Sequence, residues 1–142
     1  MLVSEQQEKL PDIRQTILIN APIRKVWDAV SNSEAIAAWL MPNDFQPVMG
    51  FEFTIHSQYG DSPCKVTEID PPNRLIFTWG DDWVVTFELN EQGSEQTEFT
   101  LVHGGWTAGK VEHGMDYATI RDRMKHGWEA AVLPRLRQFI EG

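Results

Sequence analysis

The residues of this chain best suited to bind a metal ion or to transfer a proton are four histidines and one cysteine. They are His56, Cys64, His103, His113 and His126, and none has a partner at the spacing of a metal motif, neither HxxxH nor CxxC. The serines lack the G-x-S-x-G context of a nucleophile, and no glycine-rich segment ends in the Lys-Ser or Lys-Thr of a phosphate-binding loop. The sequence therefore predicts no metal ion, no cofactor and no catalytic residue.

His103 differs from the other histidines because it closes a run of alternating residues just before two glycines. The alternation places its side chain on the inner face of a predicted strand. One interpretation is structural, with the imidazole anchoring the turn by a hydrogen bond to the backbone. The other is that His103 contacts a ligand or supplies one proton transfer. The sequence shows no second titratable partner, which catalysis would need, and it explains Asp81 and Asp82 as solvated residues of a hairpin turn.

The chain holds six tryptophans and seven phenylalanines, more than a core of this size normally requires. Ligand pockets are mostly apolar and aromatic with few polar groups, so the surplus indicates a binding site for a small hydrophobic molecule. The alternative, that these residues only fill the core, stays open for each of them. The predicted ligand-binding residues are Trp39, Phe53, Trp79, Trp83, His103, Trp106, Met124 and Trp128.

The charge balance of the chain excludes several classes of partner. The 12 Lys and Arg against 21 Asp and Glu give a formal charge of −9, whereas binding to nucleic acid or to an anionic membrane surface would need a basic stripe. No run approaches the roughly 20 apolar residues of a membrane-spanning helix, and residues 1–9 lack the pattern of a signal peptide. A lone cysteine agrees with a reducing compartment. We therefore expect a cytoplasmic protein that binds no nucleic acid and inserts in no membrane.

Hydrophobic periodicity divides the chain into a strand, two short helices, a β-meander and a long helix. Residues 13–19 alternate as a half-buried strand. Asn20 and Pro22 are typical of a helix N-terminus, with Asn20 as the N-cap, and a second short helix is predicted over residues 33–40. Five further strands are predicted over residues 51–59, 64–69, 74–79, 83–89 and 95–103.

A three-residue loop, Gly80 to Asp82, determines the register of the two strands that it joins. Because side chains alternate with a period of two, this loop places Trp79 opposite Trp83 and Phe77 opposite Val85. The large apolar side chains of both strands then share one face, which we expect to be the inner face of the sheet.

From residue 116 to residue 141 the apolar period changes to 3.6, which predicts a helix about 39 Å long, enough to cross the domain. Pro134 removes one backbone donor from this helix, so we expect either a kink near Ala130 or an early end. The predicted buried stripe consists of Tyr117, Ile120, Met124, Trp128, Ala131, Val132, Leu136 and Phe139.

Several motifs follow one another in an order that is more specific than any of them alone. They are Ala21-Pro22 with Val26-Trp27, then Trp39, Gly50 before Phe51-Glu52-Phe53, the string from Glu68 to Trp79, the turn from Leu101 to Trp106, and Gly127-Trp128. In this order they resemble the START-like, or SRPBCC, superfamily over about residues 13–141. The most similar branch is that of the homologues of the C-terminal domain of the heat-shock-protein-90 ATPase activator.

The resemblance implies an α+β helix-grip fold, with a curved antiparallel sheet of about six to seven strands, two short helices and one long C-terminal helix around a hydrophobic cavity. It also implies that the cavity holds an apolar molecule such as a lipid, a sterol or a polyketide. We expect residues 1–142 to form one such domain, with residues 1–11 as a flexible N-terminal segment. An enzyme of the polyketide cyclase or aromatase kind is an alternative function. A cofactor that activates a chaperone ATPase is a second alternative, suggested by the name of the branch alone.

Overall fold

The computed structural model describes residues 9–112 and 114–142, which have an α+β fold. Within this part of the chain a six-stranded antiparallel sheet packs on the C-terminal helix, and a two-stranded sheet precedes that helix. The predicted helix-grip architecture is confirmed. In chain order the elements are β1 (Ile13–Ile19), α1 (Ile23–Val30), α2 (Ser33–Trp39), β2 (Glu52–Ser57), β3 (Gly60–Asp70), β4 (Arg74–Trp79), β5 (Trp83–Glu91), β6 (Thr97–Gly104), β7 (Val111–Glu112), β8 (Met115–Asp116), α3 (Tyr117–Gly127), a π-helical turn (Trp128–Val132) and α4 (Leu133–Glu141).

The meander has the register that the loop length predicts. Trp79 lies opposite Trp83 and Phe77 opposite Val85 across β4 and β5, and the strand order in the sheet is β1-β6-β5-β4-β3-β2. Val85 is fully buried and Phe77 is nearly so, which identifies this face of the sheet as the core face. A slip of one residue would turn one strand's apolar side chains toward solvent.

Both edge strands of the large sheet are bonded to other parts of the chain. Beside β2, the His56 N–H donates to the Pro42 carbonyl at 2.9 Å. Beside β1, the Arg137 side chain of α4 donates to the Leu18 carbonyl at 3.1 Å. These bonds occupy edge groups that would otherwise be available to pair with another sheet.

The hairpin between β2 and β3 is tighter than the sequence predicts. β3 begins at Gly60, before Pro63 rather than after it, so Gln58 and Tyr59 form the turn alone. Pro63 is tolerated inside β3 because it pairs only with Thr54 of β2, and the pairing of β3 with β4 starts one residue later. The missing backbone donor of the proline is therefore not needed by a second neighbouring strand.

The start of α1 differs from the prediction, whereas the start of α2 has a side-chain cap. The N-cap of α1 is Pro22, and Asn20 accepts a hydrogen bond from Gln96 Nε2 at 2.9 Å instead of capping the helix. The predicted cap is wrong because this side chain, distant in sequence, uses the Asn20 oxygen. At α2 the Asn32 side chain accepts from the Ala35 N–H at 3.0 Å.

The C-terminal helix continues past Pro134 to Glu141, so the proline does not end it. The expected irregularity near Ala130 takes the form of a π-helical turn, in which the Leu133 N–H donates to the Trp128 carbonyl five residues earlier. A wider turn reduces the clash between a proline ring and the preceding turn of a regular α-helix. Neither this helix nor another in the described part of the chain is both long and apolar enough to cross a membrane.

The π-helical turn also moves the buried stripe of the helix by one residue. In a regular helix the residues that follow Trp128 on its own face would be 131 and 132, and the extra residue in the turn brings position 133 there. Ala131 and Phe139, both predicted on the stripe, are therefore exposed. In their place α4 buries Leu133 and Ile140, together with Leu136, which the stripe had predicted buried.

The predicted flexible segment, residues 1–11, is described only from Lys9 onward, and residues 1–8 lie outside the described residues. Lys9 pairs with Thr107, and the Leu10 N–H donates to the Trp106 carbonyl at 3.0 Å. Backbone pairing thus attaches Lys9 and Leu10 to the turn after β6, and the flexibility of residues 1–11 stays a prediction.

Candidate functional site

A buried histidine surrounded by tryptophan rings lies between the sheet, at strands β4, β5 and β6, and the C-terminal helix. His103, on β6, is fully buried. Its ring centroid is 4.8 Å from that of Trp83, 4.9 Å from Trp106, 5.8 Å from Trp79 and 6.1 Å from Trp128. Strand alternation brings Trp79, Trp83 and His103 to one face, while the turn after β6 and the helix supply the other two rings. These five residues are termed the His103 cluster.

The hydrogen bonds of the His103 cluster determine where the imidazole carries its proton. The Trp128 Nε1–H donates to His103 Nδ1 at 3.1 Å, and because an indole nitrogen can only donate, Nδ1 must accept. Burial lowers the pKa of His103 to about 3, so the ring is neutral at pH 7. Its single proton is therefore on Nε2.

Two N–H donors of the His103 cluster have no hydrogen-bond partner in the described part of the chain. One is His103 Nε2 and the other is Trp83 Nε1, and both atoms are buried. Gln15, on β1, lies on the same face of the sheet as His103. Its Oε1 is also buried without a partner among the described residues, although its Nε2 donates to the Lys125 carbonyl at 3.1 Å. An unpaired buried donor costs about 1–3 kcal/mol. The cluster thus combines aromatic walls with unused polar groups, the composition that ligand sites share.

Among the described residues the imidazole makes no hydrogen bond to the backbone of the turn after β6, so the predicted anchoring role of His103 is wrong. The anchor is Trp106, whose Nε1–H donates to the His103 backbone carbonyl at 2.9 Å. The turn packs directly on the β4–β5 hairpin: Gly105 has φ +97°, and a Cβ there would collide with the Asp82 carbonyl oxygen. Only glycine fits both the conformation and the space.

Asp82 binds the segment that follows this turn, so turn chemistry alone does not explain it. Its carboxylate accepts hydrogen bonds from Lys110 Nζ and from the Tyr117 hydroxyl, the second at 2.9 Å. The Lys110 bond lowers the pKa of Asp82, and burial raises the pKa of Tyr117. The Tyr117 ring packs 5.6 Å from that of Trp106. Asp82 therefore fastens Lys110 and Tyr117 beside the His103 cluster. The only sequence signal of this pairing is one cation after a glycine-rich stretch.

The remaining predicted site residues lie in other surroundings. Trp39 is fully buried and packs 5.8 Å from Phe87, and Phe53 packs edge-on against Phe77 at 5.5 Å. Met124 is partly buried against the hydrophobic core. The structure thus brings the members of the His103 cluster together and gives Trp39 and Phe53 the contacts of core residues. A ligand-contacting role for any of them stays a prediction.

The concave face of the sheet and the C-terminal helix meet through packed rings. Trp106 and Trp128 are each 1% exposed. Two open grooves, of about 450 and 560 Å³, lie elsewhere, one between α1, α2 and α4 and the other along β2, β3 and β4. Charged residues line both of them, Asp28 in the first and Lys65 in the second. The hydrophobic cavity therefore remains a prediction that requires these rings to move.

Metal binding and thiol chemistry find no support elsewhere in the described part of the chain. In residues 9–112 and 114–142, no group of three or more His, Cys, Asp or Glu side chains is arranged to hold a metal ion. Cys64 is free and buried, and desolvation raises the pKa of its thiol to about 12. A thiol that stays protonated at neutral pH is a poor nucleophile. His113 lies outside the described residues.

Proteins of solved structure resemble this chain over most of its length. The Bacillus halodurans protein BH1534 is 43% identical, with 94% of this chain and 99% of that chain covered and a TM-score of 0.85. An HSP90 activator from Plasmodium falciparum is 18% identical, with 93% and 97% covered and a TM-score of 0.75. DynU16, from the dynemicin biosynthetic locus, is 22% identical, with 93% and 48% covered and a TM-score of 0.76. The last two show the fold alone. No curated protein matches the chain.

One protein-family model, described as activator of Hsp90 ATPase homolog 1-like protein, matches residues 20–141. The match includes α1, α2, the meander and the whole C-terminal helix, and with them every residue of the His103 cluster. It agrees with the branch that the sequence motifs resemble. The chain belongs to the family of activator of Hsp90 ATPase homolog 1-like proteins.

Proposed function

We propose that this protein binds a small, planar, apolar molecule in the His103 cluster. The observation that supports this most strongly is a tryptophan-lined interior that contains two buried N–H donors without partners. If the cluster served only stability, phenylalanine in place of Trp83 would fill much of the same space without an unpaired donor. Retaining the indole is more readily explained by a group on a ligand that accepts its hydrogen bond.

Binding in the packed cluster requires part of the structure to open. Residues 105–112 and 114–117 are the best suited to move, because they carry Trp106 and are held to the β4–β5 hairpin through the Asp82 carboxylate. Lys110 and Asp82 are both partly exposed, and exposed ion pairs contribute little to stability. Loop openings of this kind are typical of sites that exclude water around a bound molecule.

The proposal is tested by following the indole N–H signals of the protein by NMR during titration with planar aromatic compounds. We expect saturable shifts of the Trp83, Trp106 and Trp128 signals, together with saturable quenching of tryptophan fluorescence. In the same spectra, backbone amide shifts confined to the groove that includes Asp28 and Phe139 would place binding outside the cluster and contradict the proposal. Absence of any saturable change across the compounds would also contradict it.

A cyclase or aromatase activity is the alternative that the resemblance to the SRPBCC superfamily implies. The site supports it less well, because a base must have a free lone pair near pH 7. In His103 the Nδ1 lone pair is occupied by Trp128 and Nε2 carries the proton. The rings that contact the imidazole come from tryptophans, which supply no second titratable group. Turnover that is lost in His103→Ala while the variant still binds ligand would favour the enzyme.

Activation of a chaperone ATPase is the second alternative, and it follows from the family name. The similarity to the Plasmodium falciparum activator, at 18% identity, shows a shared fold and not a shared partner. We therefore expect the full chain neither to bind a purified Hsp90-type chaperone in a pull-down nor to change its ATPase rate. Stimulation of that rate by the wild-type protein would support this alternative over ligand binding.

A further inference from the structure

The unpaired donors of the His103 cluster specify the polar part of the ligand. We infer that the bound molecule carries a neutral carbonyl-type oxygen that accepts a hydrogen bond from His103 Nε2–H, with Trp83 Nε1–H as the second donor. The inference rests on the proposed function and adds to it the chemical class of the ligand.

Both unpaired groups can donate and neither can accept. An indole nitrogen has no acceptor lone pair, and His103 can present a lone pair at Nε2 only by moving its proton to Nδ1. That move would break the 3.1 Å bond from Trp128 and set two N–H groups against each other. The Trp128 bond therefore makes Trp128 a positioning residue for the donor at Nε2. A ligand oxygen satisfies these groups, whereas a ligand that offers only a donor or a hydrocarbon edge leaves them unpaired.

The two donors come from neighbouring strands and lie on adjacent rings. The centroids of Trp83 and His103 are 4.8 Å apart, with an interplanar angle of 76°. An sp² oxygen has two lone pairs and can accept from two donors at once. Because the two rings are in contact on one face of the sheet, we assign one carbonyl oxygen to both donors.

A neutral oxygen fits the surroundings better than a carboxylate. The rings that contact His103 come from Trp79, Trp83, Trp106 and Trp128, and none of these side chains carries a positive charge. Beside the cluster, the Lys110 ammonium is already bound to Asp82, which adds a negative charge. A buried carboxylate without a cation is strongly unfavourable. Ketones, quinones, esters and amides are therefore expected to bind, and fatty acids are not.

The test compares ligands that differ only in the carbonyl group. The probes are 1-indanone with indane, and 9-fluorenone with fluorene, each titrated into the full chain by calorimetry and by NMR of the indole N–H signals. We expect each ketone to bind at least tenfold more tightly than its hydrocarbon and to shift the Trp83 Nε1–H signal downfield. Octanoate is the anionic probe, and it is expected not to shift that signal.

Variants of the two donors then assign the preference to them. Trp83→Phe removes one donor and should reduce the ketone preference by about threefold or more. Trp27→Phe makes the same change at a buried core tryptophan outside the His103 cluster and should leave the preference unchanged. His103→Gln can still accept from Trp128 and donate to a ligand, so it should retain the preference that His103→Leu loses. If His103→Leu does not fold, the Trp83→Phe and Trp27→Phe pair still decides the point.

The possible outcomes separate this inference from the proposed function. Equal affinity of the wild-type protein for ketone and hydrocarbon, with shifts in the His103 cluster, would overturn the carbonyl assignment and leave ligand binding standing. A ketone preference that is unchanged in Trp83→Phe and in His103→Leu would also overturn it. If no probe shifts any signal of the cluster, the proposed function itself fails and this inference fails with it.

Discussion

The buried imidazole of His103 makes the stability of the protein depend on pH in a defined window. Burial lowers its pKa from an ordinary value of 6.5 to about 3 in the folded chain. Between these values the unfolded chain binds a proton that the folded chain does not, so the free energy of unfolding falls as the pH is lowered through this range. One proton gives at most about 1.4 kcal/mol per pH unit, and the expected loss between pH 6.5 and pH 4.5 is about 2 kcal/mol.

Carboxylates also lose stabilising interactions on acidification, but at lower pH. The Lys110 bond lowers the pKa of Asp82, and the backbone N–H of Thr119 lowers that of Asp116. A carboxylate with a lowered pKa stabilises the fold above its unfolded value of about 3.9 and loses that contribution as the pH falls further. The interval from pH 6.5 to 4.5 therefore reports mainly on histidine.

Urea denaturation at pH 6.5 and pH 4.5 measures this loss, and His103→Gln is the matched control. Glutamine can accept from Trp128 and has no charge to gain, so the variant should lose about 2 kcal/mol less than the wild-type protein over the same interval. If the two proteins show the same pH dependence, His103 titrates normally and the argument for a neutral Nε2–H donor is refuted. NMR signals of the His103 ring that titrate near pH 6 in the folded protein would refute it as well.

Three further substitutions test the packing around the cluster. Trp128→Ala should lose about 3–5 kcal/mol in denaturant melts, as should the core control Trp27→Ala, because both rings are buried; a clearly smaller loss for Trp128→Ala would show that its ring is the wall of a cavity. Tyr117→Phe, which removes the hydroxyl bonded to Asp82, should lose about 1–2 kcal/mol and increase amide hydrogen exchange in residues 105–112; unchanged exchange would contradict the fastening role. Pro134→Ala should change stability by less than about 1 kcal/mol, because we expect packing of α4 to maintain the π-helical turn; a gain of several kcal/mol in the same melts would show that the proline ring strains the helix.

Local patterns were sufficient to predict most of the fold. The alternation of apolar residues and the three-residue loop Gly80 to Asp82 predicted the register of β4 and β5. Because strand side chains alternate with a period of two, only a register of this parity buries the apolar side chains of both strands on one face. The same parity placed His103 on the inner face, where it is fully buried. These features depend on residues that are close in sequence, so the sequence alone contains the information.

Only the tertiary structure decided the bonds of the candidate site. Trp128 donates to His103 across 25 residues of sequence, and Lys110 reaches Asp82 across 28. A periodic pattern states which face a side chain occupies, but not which distant side chain it meets there. The π-helical turn adds a further limit, since one extra residue exposes Phe139 although the apolar period of the sequence had predicted it buried. Pairing between distant elements and the phase of a distorted helix are properties of the packed chain, because they depend on how whole elements fit against one another.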